Sequence, residues 1–265
     1  MRKTKLMAGT GGAACLFLTA CSAVDAVHTA VDKATDAAVH GMTGKRSTGG
    51  GGTAGATPPP AALHGYTMGV FQAVFHLGGY QMAVAEFEPG DYIRWQARGY
   101  GEQGQWFKKS LLKRLDDGRE WWRVVTHTGD GDEVVMEALL SAPRGDGVRG
   151  IRRLKVQWPG EQPREVPITE QEASRWALGS PRKLTEESYK GLKVGVENVN
   201  VPAGTFTADH LSTGASGQSG TMHWWVTDRV PGGIVKFEWK GEDASRVMAL
   251  KDHGNGDTVS RLGAF

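Results

Sequence analysis

Cysteine is almost absent from this 265-residue chain: Cys15 and Cys21 are the only two, both near the start. No disulfide framework or Cys-based metal centre can therefore hold the body of the chain, and its stability must come from packing. An excess of one charge is lacking too, with 31 Lys and Arg against 29 Asp and Glu. That balance leaves no basic footprint for nucleic acid. A bilayer-spanning apolar run needs about 20 residues, and the uncharged apolar stretch from Leu6 to Ala20 is shorter.

Catalytic signatures are missing as well. Gly214-Ala215-Ser216-Gly217 and Gly217-Gln218-Ser219-Gly220 both fall short of a G-x-S-x-G nucleophile elbow. His28, His40, His64, His76, His127, His210, His223 and His253 show neither H-x-x-x-H nor H-E-x-x-H spacing. A hairpin could set His210 beside His223 with Asp209 adjacent, and two His with a carboxylate can bind zinc. Two polar residues on a solvated face is the preferred reading. The carboxylates sit in turns, where turn geometry accounts for them. The expectation is a non-enzymatic protein with no cofactor and no metal.

The N-terminus is the most informative segment present. Met1-Arg2-Lys3-Thr4-Lys5 is a short cationic region, Leu6 to Ala20 is apolar, and Leu18-Thr19-Ala20-Cys21 closes it. These are the parts of a secretory signal, and the closing four residues resemble the lipobox of bacterial lipoproteins. The resemblance implies cleavage before Cys21, a diacylglyceryl thioether on its sulfur and an N-acyl chain. Two or more chains make a stable membrane anchor where one does not. Ser22, in place of an Asp, points to the outer membrane facing the periplasm. Loss of residues 1–20 takes Arg2, Lys3 and Lys5 with it, so the basic count falls from 31 to 28 against 29 acidic residues. The mature chain is nearly neutral.

Residues 21–43 read as a tether, helical or disordered, with small apolar residues at helical spacing. Residues 44–60 hold Gly49 to Gly52 and Pro58 to Pro60, a flexible and then extended spacer. A β-rich domain fills 61–265. It opens with a helix over 66–77, carried by Tyr66, Val70, Phe71, Val74 and Phe75 and stopped by Gly78-Gly79. Alternating segments bounded by turns follow: 92–97, 106–115, 120–126, 134–140 and 151–158. Thr169 and Glu172 form a capping-box pattern ahead of a helix over 170–178, and Thr185 caps one further turn. Strands resume at 192–201, 205–211, 221–227, 234–240, 246–251 and 258–262, with a Ser/Gly loop over 212–220. The expected class is α+β: one curved antiparallel sheet of roughly nine strands with two or three short helices.

All nine Trp follow residue 90. Trp121-Trp122 and Trp224-Trp225 are adjacent, so each pair puts one indole on each face of a sheet. One face is core; the other indole needs a helix, a ligand or another chain. Trp95, Trp122, Trp225 and Trp239 are the candidates for lining a hydrophobic ligand.

Val201-Pro202-Ala203-Gly204-Thr205-Phe206, Trp224-Trp225 and Val230-Pro231-Gly232-Gly233-Ile234-Val235-Lys236 form a spaced set. It resembles uncharacterised envelope lipoproteins related to the lipoprotein-carrier (LolA/LolB-like) superfamily. That resemblance implies a half-barrel whose concave apolar face takes up acyl chains. The polar loop over 212–220 departs from the superfamily's receptor, which delivers cargo through an exposed apolar loop tip. The favoured expectation is a membrane-anchored protein that binds a hydrophobic or amphipathic ligand. The alternative is an assembly accessory that binds another envelope protein.

Overall fold

A computed structural model describes residues 60–76, 84–99, 105–127, 133–145, 147–179, 184–214, 220–242 and 245–263. The expected signal, Cys21, the expected tether and nearly all of the expected linker lie outside the described residues.

Eleven antiparallel strands form one sheet: β1 (Gly90–Arg98), β2 (Trp106–Arg114), β3 (Glu120–His127), β4 (Glu133–Leu140), β5 (Ile151–Gln157), β6 (Arg164–Val166), β7 (Lys193–Val201), β8 (Gly204–Gly214), β9 (Gly220–Val226), β10 (Ile234–Gly241) and β11 (Ser245–Asp257). Three helices accompany them: α1 (Pro60–Phe75), α2 (Glu170–Gly179) and α3 (Glu186–Leu192). The protein is thus mostly β rather than evenly α+β, and the strand number exceeds nine. One strand that the pattern did not indicate, β6, is three residues flanked by Pro163 and Pro167, too short to show a period of two.

The strand order is β6-β5-β4-β3-β2-β1-β11-β10-β9-β8-β7. Two meanders therefore meet where β1 pairs with β11, and the α2–α3 segment carries the chain from one edge to the other. Tight turns explain the meanders. Asp117-Gly118 closes β2 onto β3 with Gly118 at φ 79°, a left-handed conformation that glycine adopts without Cβ strain. The sheet curls. The β7–β8 turn lies between three and four strand widths from β11, about 15–19 Å if flat, yet Ala203 N–H donates to the Leu250 carbonyl at 3.1 Å.

The capping box forms as expected: Glu172 N–H donates to Thr169 Oγ1 at 3.2 Å, and Thr169 N–H donates back to Glu172 at 2.9 Å. Thr185 caps α3 by accepting from Ser188 N–H. Helix α1 starts six residues before the expected 66, with Pro60 in the first turn where its missing N–H costs nothing; Gly78-Gly79 lies outside the described residues. The segment 258–262, expected as a strand, is not one. Strand β11 itself runs on to Asp257, and the following residues cross the sheet's outer face. Strand β8 runs to Gly214, past the expected loop start, and 215–219 lies outside the described residues.

The core is the inner face of the sheet with the helices laid on it. Helix α1 packs on β2, β3 and α2; α3 packs on β8. Thr67, Met68, Val70, Phe71 and Val74 of α1 are all buried, so this helix lays one broad face on the core. Trp176 of α2 lies against it, with ring centroids 5.4 Å from both Phe71 and Phe75.

Candidate functional site

The β period decides which side chains share the interior. Ile93, Trp95 and Ala97 on β1, Phe107 and Leu111 on β2, Trp122 and Val124 on β3, and Phe237 on β10 face one common apolar cluster. Trp122 stands edge-on to Phe75 and Phe87 at 5.1 and 4.9 Å, and its Nε1 donates to Glu120 Oε2 at 3.0 Å. Trp95 Nε1 reaches across β11 to the Ile234 carbonyl at 3.4 Å. Trp239 is half-buried beside the same cluster, with the Arg246 guanidinium 5.3 Å from its ring.

The four candidate indoles do not share one surface. Trp95, Trp122 and Trp239 are inside. Trp225 turns the opposite way from its fully buried neighbour Trp224 and pairs across the sheet with His210 and Lys236. Likewise Trp122 is inside while Trp121 packs with Leu112 and Leu139 on the outer face. One indole per face, read from adjacency, holds for both pairs.

Two ionisable residues that the sequence reading passed over sit in the interior. Lys109 occupies the inward position between Phe107 and Leu111, opposite Ile93 and Val124. Its Nζ donates to the Phe75 carbonyl, in the last turn of α1, at 3.1 Å. The rings of Phe75, Phe87 and Trp122 surround it at 4.9, 5.2 and 5.5 Å. Burial pushes its ammonium down to about 8. Next to it, His76 packs on Trp176 with centroids 4.6 Å apart. Burial, and then the Lys109 charge, push its imidazole down to about 3. The signal for Lys109 was present: a lysine at the inward parity of an otherwise alternating strand.

Among known proteins, no family model matches this chain, and no curated protein is similar to it. The geometry of this chain alone therefore carries its functional reading.

Trp225, itself buried and in contact with the apolar cluster, also joins a group of polar side chains. Its indole stacks on His210 at 4.7 Å and its Nε1 donates to Glu197 Oε2 at 2.9 Å. Glu197 Oε1 lies 2.8 Å from His210 Nδ1, and His210 Nε2 lies 2.9 Å from His223 Nδ1. The hydrogen bonds from Trp225 and His210 hold the Glu197 carboxyl below its usual range, while burial and the facing His210 lower His223. So the two imidazoles do meet. Asp209, however, turns away to accept from Tyr189 Oη at 2.9 Å and pair with Lys193 at 2.8 Å. Burial, with that hydrogen bond, raises the Tyr189 phenol. Among the described residues no group of three His, Cys, Asp or Glu side chains is placed to hold a metal ion.

Proposed function

We propose that this protein is a membrane-anchored envelope lipoprotein whose curved sheet holds a hydrophobic or amphipathic ligand by apolar burial, without catalysis. The observation that carries the reading is the interior itself: one apolar cluster running across both meanders, covered by helices and not by a second sheet. Helices pack through side chains, so an acyl chain sliding between α1 and the strands would exchange apolar contacts for apolar contacts. Little burial would be lost in the exchange. Helix α1 carries no charged residue in its 16 positions, which suits a cover that has apolar surface on both sides.

No helix among the described residues is long and apolar enough to cross a membrane. The attachment is assigned to acyl chains on Cys21. Replacing Cys21 by Ser is expected to abolish incorporation of labelled palmitate; undiminished labelling would place the anchor elsewhere.

A second reading rests on β7. It is an edge strand of nine residues, paired only with β8, and it exposes Val194 and Val196 at 63% and 59%. Such an edge accepts a strand from a partner protein. One experiment separates the two. The full chain is examined by native mass spectrometry for co-purifying lipid, and its Trp fluorescence is titrated with dodecanoate. Bound lipid and quenching support the ligand reading. Neither, together with an envelope protein cross-linked through β7, overturns it in favour of the accessory.

A further inference from the structure

A lysine in an apolar interior is costly unless an anion offsets it. Among the described residues no carboxylate pairs with the Lys109 ammonium, and no anion raises its proton affinity; burial acts on it unopposed. Its surroundings are three aromatic rings and one main-chain oxygen. The rings attract a cation only through their faces, and modestly, and a carbonyl at a helix C-terminus adds a partial negative charge and not a full counter-ion. An ammonium has three donors, and the Phe75 carbonyl uses one of them.

Salt bridges elsewhere in the sheet make the contrast plain. Arg123 is buried against Glu137, Arg149 against Glu120, and Lys108 reaches Asp257 at 2.7 Å. Lys108 and Lys109 are neighbours on β2: the first is neutralised on the outer face, the second is left charged on the inner one. A structural role alone does not require charge at this position, because a methionine would fill the same aromatic cage without desolvating an ammonium.

We propose that Lys109 is the recognition point for the anionic headgroup of an amphipathic ligand, whose hydrocarbon chain lies along the inner face beside Trp122 and Trp95. This rests on the ligand-holding reading above and narrows its ligand class to single-chain or lipid amphiphiles bearing a carboxylate or phosphate. The headgroup's oxygens accept from the two ammonium donors that no acceptor among the described residues takes, forming charge-assisted hydrogen bonds inside an apolar cage. The aromatic rings Phe75, Phe87 and Trp122 shield that pair from water.

Four twelve-carbon probes test it on the full chain: dodecanoate, dodecyl phosphate, 1-dodecanol and dodecyltrimethylammonium. Trp fluorescence quenching reads the affinities below each probe's micellar range. The intact protein is expected to prefer the two anions by about tenfold or more over the alcohol, with the cation weakest. Lys109→Met is expected to bring the anions down to the alcohol's affinity and leave the alcohol unchanged; Lys109→Arg, which keeps the charge, retains the preference. Near-ultraviolet circular dichroism of both variants establishes that the aromatic core is intact. A stronger phosphate than carboxylate arm assigns a phospholipid-like headgroup, and the reverse assigns a fatty acid. Equal binding of all four probes by the intact protein overturns this inference alone, as does a Lys109→Met variant that keeps its anion preference. Failure of every probe to bind overturns the ligand-holding reading, and the Lys109 assignment falls with it.

Discussion

Replacing Glu137 by alanine is expected to destabilise the fold by about 3–5 kcal/mol, the range for removing one partner of a buried ion pair. Glu137 is 1% exposed on the outer face of β4, and Arg123 Nε on β3 donates to its Oε1 at 2.9 Å. The same carboxylate accepts from Ser260 Oγ and from Arg261 N–H, so it ties down the chain after β11. Arg123 in turn donates to the Val259 carbonyl. Leu262 then drops into an apolar site made by Val125, Val135 and the half-buried Trp106. In Glu137→Ala the Arg123 charge is left buried, with only Asp257 nearby at 3.8 Å. The strap over residues 258–263 loses two hydrogen bonds at the same time. Urea unfolding gives the loss, and limited proteolysis near Arg261 is expected to accelerate. A loss below about 1 kcal/mol would show that the pair contributes little here, as at exposed sites. The double variant Arg123→Met, Glu137→Leu is expected to recover much of the difference, because it removes the stranded charge.

The second large effect is a dependence on acid that traces to His76. Its folded-state value of about 3 lies far below the ordinary 6.5. Between these values the unfolded chain holds a proton on this imidazole that the folded chain refuses, so stability falls as pH drops. The slope approaches about 1.4 kcal/mol per pH unit and sums to about 4–5 kcal/mol over the whole window. Above 6.5 the group is neutral in both states and contributes no slope. Among the groups that face it are Lys109, whose positive charge adds to the penalty, and the Phe75 and Trp176 rings. His76→Phe is expected to flatten the decline between pH 6.5 and about 5.5, a range where ordinary carboxylates have barely begun to titrate. Chemical denaturation at stepped pH measures it. An unchanged slope in His76→Phe would assign the acid sensitivity to other groups. Because His76 follows the last turn of α1, its protonation acts on the same helix end that Lys109 touches. Acid is therefore expected to loosen α1 before the strands, which hydrogen exchange would reveal as early loss of protection in 67–75.

Much of the fold was legible in the chain itself. The capping box at Thr169 and Glu172, the cap at Thr185 and the turn at Asp117-Gly118 were all readable. Each depends on atoms within about four residues of one another, so local sequence contains the whole interaction. The alternation of β1 to β5 was readable for the same reason, as was the division of Trp121 from Trp122 and of Trp224 from Trp225. The strand over 258–262 was misread because Val259 and Leu262 resemble strand residues, while what they actually meet, Arg123 and Val125, lies more than 120 positions earlier.

Composition and the N-terminal pattern by themselves determined that this protein cannot rely on disulfides, is nearly neutral once Arg2, Lys3 and Lys5 are removed, and alternates toward a large aromatic core. Only the tertiary structure decided that β1 pairs with β11, joining the two meanders. Only it placed Lys109, with no counter-ion among the described residues, in a cage built from α1, the segment before β1, and β3. The reason is physical. Backbone propensity and turn chemistry act over a few residues, whereas the cost of a buried charge depends on every side chain that surrounds it, and those arrive from segments joined only by folding.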